Sequence, residues 1–290
     1  MIISKIKFPL RTFVLALVCL SATLLLPGVA SAGFDEGVAA LDNKDYATAF
    51  KEFKLLASQG DASSQYNLGL MYAKGQGVSQ NANEAVKWYR LAAAQGYAGA
   101  QYNLGVRYTH GQGVQQDDKE AAKWYRLAAA QGYASAQFNL GAMYASGRGV
   151  SQDYKEALKW YRLVAAQGSG DAQFNIGLMH KNGLGVSQDY KEAVKWFRLA
   201  AAQENADAQN KLGAMYAEGL GVFSSRVVAY ALYHLSTTKD ASKENSATEN
   251  REFLSKSMPI NEINAGKNLT RELTKPGNFL KALDAYVKTP

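Results

Sequence analysis

The chain is poor in the residues from which catalytic and metal centres are most often built. Its 290 residues include one cysteine, three histidines and five prolines. The single cysteine, Cys19, lies in the leader described below, so the rest of the chain has no thiol for a disulfide, a zinc site or a nucleophile. Charged residues make up only 20 % of the chain and hydrophobic residues 47 %, which excludes a disordered protein.

The first 32 residues have the layout of an export signal. Three basic residues stand near its start: Lys5, Lys7 and Arg11. An uncharged, mostly apolar run of 15 residues follows at 12–26, Pro27-Gly28 is expected to break any helix, and Ala30-Ser31-Ala32 offers small residues for cleavage. The run is shorter than the roughly 20 residues that span a bilayer. We therefore expect residues 1–32 to be removed and the mature chain to be periplasmic or secreted, with at most peripheral membrane association.

The charge of the remaining chain is close to balanced. The formal charge of the whole sequence is +7, and removal of the three basic leader residues reduces it to +4. So small an excess predicts no nucleic-acid partner. An exported chain without cysteine is typical of a bacterial periplasm or exterior rather than of a eukaryotic secretory lumen.

One unit of 36 residues recurs along the mature chain. The four tryptophans of the protein share this spacing: Trp88, Trp124, Trp160 and Trp196. An apolar residue followed by glycine recurs at the same interval, as in Leu68-Gly69, and so does a Gly-x-Gly-Val loop, as at 75–78. A fixed period of this length indicates one supersecondary unit stacked on copies of itself.

Each unit is predicted to consist of two helices. The first covers about 62–74, with Gly69 allowing a close backbone approach and Gly75 ending the helix. The second begins with a capping box such as Asp153/Glu156, in which the glutamate binds the backbone amide of the capping residue. Apolar residues at i, i+3, i+4 and i+7 then form one helix face. No stretch alternates as a strand would, so the predicted fold is all-α.

These motifs resemble the Sel-1-like repeat, a relative of the tetratricopeptide repeat. The matching residues read A-Q-Y-N-L-G and G-x-G-V, then D-Y-K-E-A-x-K-W-Y-R-L-A-A-A-Q-G. The resemblance implies a right-handed α-solenoid of stacked helix pairs, closed by a helix over Ile260–Thr274, with a break at 275–277 before a short tail. The divisions it implies are a signal peptide at 1–32, N-terminal tetratricopeptide-like capping helices at 33–60, five repeats at 61–96, 97–132, 133–168, 169–204 and 205–240 (the last degenerate), and C-terminal capping helices and a tail at 241–290.

A polar residue precedes the Leu-Gly pair in every unit, and the resemblance makes this position a candidate binding site. The candidate partner-binding residues are Asn67, Asn103, Asn139, Asn175 and Lys211, together with Arg107, which replaces a methionine of the other units. In the tetratricopeptide family this position lines the concave groove, where asparagine can bind the backbone or terminal carboxylate of a peptide. The alternative is structural: each asparagine bonds only to a neighbouring loop.

A second row of residues is basic. Lysine and arginine pairs recur on the predicted outward face of the second helices: Lys87/Arg90, Lys123/Arg126, Lys159/Arg162 and Lys195/Arg198. Each lysine follows a glutamate by three residues, which predicts ion pairs on a solvated face. The alternative is weak attraction to an acidic envelope polymer or to lipid headgroups.

Catalytic motifs are weak in this sequence. His180 replaces the tyrosine of other units and is predicted to lie in the core, and the spacing of the three histidines predicts no metal site. Ser236 and Lys239 have the Ser-x-x-Lys spacing of penicillin-recognising enzymes but lack the accompanying motifs.

The sequence therefore predicts a monomeric, non-enzymatic, exported scaffold without cofactor or metal. It is expected to bind a protein or peptide in its concave groove, as an adaptor or regulator of an envelope or host-interaction process. Two alternatives stay open. One is a hydrolase acting on cell-wall or β-lactam substrates, and the other is a binder of acidic envelope polymer through the basic face.

Overall fold

The computed structural model describes residues 27–238 and 246–288, and every regular element within them is a helix. The helices are α1 (Pro27–Asp42), α2 (Tyr46–Ser58), α3 (Ala62–Lys74), α4 (Ala82–Ala94), α5 (Ala98–His110), α6 (Asp118–Ala130), α7 (Ala134–Ser146), α8 (Tyr154–Ala166), α9 (Gly170–Asn182), α10 (Tyr190–Ala202), α11 (Ala206–Glu218), α12 (Arg226–Thr237), α13 (Ser246–Ser255), α14 (Ile260–Leu273) and α15 (Phe279–Lys288). The predicted all-α solenoid is confirmed. Most of the predicted export signal lies outside the described residues. None of the described helices combines the length and apolar composition needed to cross a bilayer.

Each repeat contributes a first helix and a second helix, which pack against each other and then against the next repeat. The first helices are α3, α5, α7, α9 and α11, and the second helices are α4, α6, α8, α10 and α12. Helix α3 has the predicted bounds and ends at Gly75, whose φ of 70° is left-handed. We call the outer surface of the first helices the first-helix face and that of the second helices the second-helix face.

The caps of the second helices differ in one respect from the predicted capping box. The Asp153 carboxylate accepts hydrogen bonds from the backbone N–H groups of Lys155 and Glu156, at 2.9 and 3.1 Å, as expected. The backbone N–H of Asp153, however, donates to the carbonyl of Tyr144 at 2.9 Å, and Glu156 pairs with Lys159 instead. The tight loop returns the end of the first helix to the start of the second, so a main-chain carbonyl replaces the glutamate. The same backbone bond forms at the other three caps, Asn81, Asp117 and Asp189.

The Gly-x-Gly-Val loops adopt the predicted positive φ angles and also bring successive repeats into contact. Gly147 and Gly149 have φ angles of 75° and 68°. A Cβ atom on Gly149 would collide with the carbonyl oxygen of Asp118, the first residue of the preceding second helix. The second glycine of the loop is therefore required both by its backbone conformation and by the joint between repeats.

The core runs between the two helices of each repeat and continues through the stack. Gly69 lets the backbone of α3 approach the fully buried Tyr89 so closely that a Cβ atom would lie 2.6 Å from its ring. The tryptophans lie at the margin of the core: Trp160 is half-buried and packs against the cluster that contains Leu140. Glutamine side chains also join repeats, since Gln95 Nε2 donates to Gln65 Oε1 at 2.8 Å. The same bond recurs at Gln131–Gln101, Gln167–Gln137 and Gln203–Gln173.

At the N-terminal end, α1 and α2 pack as a helix pair. Residues 27 and 28 of the predicted break lie in α1, and the apolar run at 12–26 that the break was expected to end lies outside the described residues. Phe53 of α2 is fully buried, and a Cβ atom on Gly37 would lie 2.7 Å from its ring. Glycine is thus needed where α1 crosses α2.

At the C-terminal end, three helices follow α12. Helix α14 agrees with the predicted closing helix, and the predicted break at 275–277 separates it from α15. Residues 279–288, within the predicted tail, form α15. Phe279 and Leu283 of this helix are buried in the C-terminal core, which explains why an amphipathic segment folds here.

Candidate functional site

The predicted site residues form a row along the first-helix face. Asn67, Asn103, Asn139, Asn175 and Lys211 occupy the same position on the five first helices, and each is half-buried. The row contributes one side chain per repeat, so these residues do not gather in a single pocket. Packed helices lie roughly 8–10 Å apart, a spacing that suits an extended ligand crossing several repeats.

The asparagines lie beside tyrosines of the preceding repeat. Asn103 is close enough to the hydroxyl groups of Tyr66 and Tyr89 to lower the pKa of each, and Asn139 has the same effect on Tyr102 and Tyr125 of the next joint. Burial has the larger, opposite effect: it raises the pKa of all four phenols. The value for Tyr66 is about 12. These hydroxyl groups are therefore protonated at neutral pH and serve as uncharged hydrogen-bonding groups.

The alternative role of the asparagines, a structural bond to a neighbouring loop, stays a prediction. Within the described residues, Asn67, Asn103, Asn139 and Asn175 make no side-chain hydrogen bond to a neighbouring loop. The loops are held instead by backbone bonds and by glutamines, such as Gln152 Nε2, which donates to the carbonyl of Ala145 at 2.8 Å. The amides of Asn103 and Asn139 lie instead beside the tyrosine hydroxyl groups of the preceding repeat.

Arg107 and Asn103 converge on the same ring. The guanidinium carbon of Arg107 lies 6.0 Å from the centroid of Tyr89, and its Nη1 donates to Gln112 Oε1 at 2.6 Å. The Nε of Arg107 is buried and has no hydrogen-bond partner. The structure therefore brings together an amide, a cation and an aromatic ring at the joint between the first two repeats.

A cleft opens at the next joint, between α5 and α7. It has a volume of about 290 Å³. Its wall includes Asn139, Tyr102 and Val106, so amide, aromatic and aliphatic groups face one space. Tyr125 and Thr109 also line it, with the Thr109 Oγ1 and the Tyr125 hydroxyl 3.2 Å apart.

Sequence reasoning missed part of this cleft. Thr109 replaces the alanine or lysine of the other repeats, and Arg148, also on its wall, replaces a glutamine or leucine. Arg148 is held by an ion pair with Asp118 at 2.7 Å, and this contact raises the pKa of its guanidinium. Both residues differ from the residue that the other repeats have at the same position, and this difference could have identified them from the sequence.

The second-helix face carries the predicted ion pairs. All four form, with N–O distances of 3.4 Å or less: Lys87–Glu84, Lys123–Glu120, Lys159–Glu156 and Lys195–Glu192. Arginines of this face reach the next repeat, since Arg90 Nη2 donates to the Tyr108 hydroxyl at 2.9 Å. The lysines of this face are therefore paired with carboxylates, whereas Arg90 bonds to an uncharged hydroxyl.

The remaining candidates for chemistry are buried or dispersed. His180 lies in the core, as predicted, and Ser236 is fully buried with its hydroxyl donating to the carbonyl of Ala206 at 2.9 Å. Lys239, the second member of the Ser-x-x-Lys pattern, lies outside the described residues. In the part of the chain that the structure describes, no group of three His, Cys, Asp or Glu side chains is placed to hold a metal ion.

Comparison with known proteins gives the same repeat unit. A family model described as the Sel1 repeat matches residues 62–97, 98–133, 134–169, 170–205 and 206–240. The chain is similar to the crystal structure of a Sel1 repeat protein from Oxalobacter formigenes, with 31 % identity, a TM-score of 0.73, and coverage of 89 % of this chain and 100 % of that one. It is also 41 % identical over 73 residues to the DAP3-binding cell death enhancer 1 of Rattus norvegicus. That match covers 23 % of this chain and spans only 14 % of the rat protein.

Proposed function

We propose that this chain, which belongs to the Sel1 repeat family, is an exported scaffold that binds a segment of another protein along its first-helix face. Proteins of this family are generally non-enzymatic mediators of protein interactions. The name of the rat relative describes a protein that binds another protein, DAP3. The proposal assigns the same kind of activity to the groove, with an adaptor or regulatory role in the envelope or in contact with a host.

The observation that carries the proposal is the cleft at Asn139. An amide at its wall can exchange hydrogen bonds with a peptide backbone, and the flanking Tyr102 and Val106 offer surface on which a side chain can be buried. Asn103 and Arg107 present an amide and a cation one repeat away. An extended peptide rises about 3.3 Å per residue, so the row would meet roughly every third residue of a bound segment.

The proposal is tested by site-specific photo-crosslinking in intact cells. A benzoylphenylalanine residue replaces Ala142, which lines the cleft, and in a matched control it replaces Lys87 on the second-helix face. We expect a discrete protein adduct from position 142 and none of the same mass from position 87. Adducts of the same partner from both positions, or from position 87 alone, would contradict groove binding.

The hydrolase alternative is disfavoured by the position of its candidate nucleophile, Ser236. Ser236 is fully buried and its hydroxyl is engaged by a backbone carbonyl, so no substrate can reach it without local unfolding. We expect the purified chain not to hydrolyse a chromogenic β-lactam or peptidoglycan above a denatured control. Turnover that is lost in Ser236→Ala would overturn this expectation.

The polymer-binding alternative is disfavoured by the pairing of the second-helix face. Each lysine of the row has a glutamate partner, so the charge of the lysines is offset within the chain. Exposed charge contacts are screened by salt, whereas groove binding through amides and buried side chains is not. Partner binding that persists at high salt therefore supports the groove.

A further inference from the structure

Exposed leucines form a second row on the molecule, and this row lies outside the proposed binding site on the first-helix face. They recur at the 36-residue interval: Leu55 in α2, and Leu91, Leu127, Leu163 and Leu199 on the second-helix face. Their exposed fractions lie between 41 % and 53 %. The same interval continues to Leu235 in α12, which is only 5 % exposed. The last leucine of the row is thus covered, and the structure shows what covers it.

Helix α14 of the same chain packs on the second-helix face of α12. A Cβ atom on Gly266 would lie 2.6 Å from the ring of Tyr230, and the hydroxyl of Thr270 donates to the carbonyl of Ala231 at 3.2 Å. Ala231 is fully buried and stands at the repeat position of the exposed Lys195. The face that is charged in the earlier repeats becomes apolar where a helix lies on it.

Helix α15 then reaches the second-helix face of α10, one repeat earlier. Asp284 forms an ion pair with Arg198, and Leu280, one turn before Asp284, lines a cleft of about 520 Å³ together with Leu199. The carboxylate of α15 therefore binds the arginine, and its leucine shares a cleft with the leucine, that α4, α6, α8 and α10 repeat. The chain itself shows the chemistry that this face accepts.

Helix α8 presents the next copy of that position, and it is open. Arg162 and Leu163 correspond to Arg198 and Leu199. At the earlier joints the arginine is occupied: Arg90 bonds to Tyr108, and Arg126 Nη2 donates to the Tyr144 hydroxyl at 3.1 Å. Arg162 makes no hydrogen bond or ion pair within residues 27–238 and 246–288.

The reason is a substitution at the tyrosine position. His180 stands there, is 9 % exposed, and has no hydrogen-bond partner at either ring nitrogen. Burial lowers the pKa of His180 most, the charge of Glu192 opposes it, and the positive charge of Arg162 lowers it further. The imidazole ring is therefore within electrostatic range of the guanidinium but makes no hydrogen bond to it. The Arg162 guanidinium is thus available to a ligand.

We propose that the second-helix face of α8 docks an amphipathic helix of a partner protein, in which a leucine and a carboxylate four residues apart engage Leu163 and Arg162. This helix extends the series in which α14 lies on α12 and α15 on α10. Its leucine covers an exposed apolar side chain, and its carboxylate forms a charge-assisted bond with a guanidinium that has no other partner. The proposal is independent of the groove, which lies on the first-helix face.

The test uses the chain's own docking helix as a probe. A fluorescent peptide of residues 278–288, with Ala285 replaced by glutamate and bridged by a lactam to Lys281 to hold the helix, is titrated with the full-length chain. The native α15 occupies its own site at α10, so the free peptide reports on α8. We expect measurable binding that weakens about tenfold when the chain carries Arg162→Asp. Affinity should recover when this variant is combined with a peptide carrying Asp284→Lys, because the ion pair then forms with its charges reversed.

The matched control is Arg126→Asp, where the arginine is already bonded to Tyr144; we expect it to change the affinity less than about twofold. Leu280→Ala in the peptide should weaken binding about tenfold through lost apolar contact. Absence of binding at about 1 mM peptide, or equal losses in Arg162→Asp and Arg126→Asp, would overturn the proposal. Full competition by polyglutamate, together with no effect of Leu280→Ala, would show an anionic-polymer surface instead and would also overturn it.

Discussion

Arg90 donates a hydrogen bond of 2.9 Å to the hydroxyl of Tyr108, across the joint between two repeats. Arg126 and Tyr144 repeat this bond at the next joint. At the third joint the pair becomes Arg162 and His180, and the bond is lost. Because solenoid repeats contact only their neighbours, a change at one joint affects the coupling of the two halves of the stack.

The first prediction is that the third joint weakens in acid. Burial lowers the pKa of His180 and is the largest effect; the charge of Glu192 opposes it, the charge of Arg162 lowers the pKa further, and Asp189 has the smallest, opposing effect. Below about pH 6.5 the unfolded chain therefore binds more protons at this site than the folded chain, and the free energy of unfolding falls as the pH falls. The melting temperature of His180→Tyr should fall less between about pH 7.5 and pH 5.5 than that of the wild type.

His110→Gln is the matched control for this measurement, since His110 is exposed at the end of α5. Burial also lowers the pKa of His234, so some acid sensitivity should persist in His180→Tyr. Identical pH dependence in the wild type and in His180→Tyr would refute the assignment.

A second prediction separates core leucines from the exposed row. Leu140 is fully buried, and Leu140→Ala should lower the free energy of unfolding by about 2–5 kcal/mol through the cavity it leaves. Leu127 is half exposed, and Leu127→Ala should change the free energy by less than about 1 kcal/mol. Chemical denaturation of both variants checks the difference, and equal losses would show that the exposed row serves stability.

A third prediction concerns the two kinds of left-handed glycine. Gly132 has a φ of 84° with open space around it, so Gly132→Ala should cost about 1 kcal/mol from backbone strain alone. Gly149→Ala adds a collision with the carbonyl of Asp118 and should cost clearly more. Thermal unfolding of the two variants provides the comparison, and a Gly149→Ala variant as stable as Gly132→Ala would contradict the described joint.

A fourth prediction is that the protein is exported and begins at Gly33. The expectation rests on the basic start, the apolar run and the small residues before Gly33. N-terminal sequencing of protein released by mild disruption of the outer membrane should read Gly33-Phe34. An intact Met1 on membrane-bound protein would contradict export by a cleaved signal.

The repeat fold followed from the sequence because its signals are local and recur. Caps such as Asp153, helix ends such as Gly75, and close-packing glycines such as Gly69 depend on neighbours within one unit, so their spacing predicts both their conformation and their contacts. The pairing of Glu156 with Lys159 rather than with the cap did not follow from the sequence. The loop conformation decides whether a backbone carbonyl or the glutamate accepts the hydrogen bond of the capping residue's N–H.

The candidate site could be predicted only in part for a similar reason. The row of Asn103 and Asn139 is visible in the repeat, but the cleft also needs Thr109, which departs from it. The docking of α15 could not be predicted, since the contact between Arg198 and Asp284 joins residues far apart in the chain and outside any common period.

The most direct test of groove binding uses the partner that is captured by crosslinking at position 142. Its affinity for the double variant Asn103→Ala/Asn139→Ala is measured by calorimetry and compared with its affinity for the wild type. Each lost hydrogen bond costs about 0.5–1.5 kcal/mol, so the pair should weaken binding about tenfold or more if the losses add. Lys87→Glu serves as the control on the second-helix face, and a melting temperature close to the wild type confirms that the double variant is folded. Groove binding predicts the tenfold loss in the double variant and unchanged affinity in Lys87→Glu, whereas a folded double variant that binds as tightly as the wild type would contradict it.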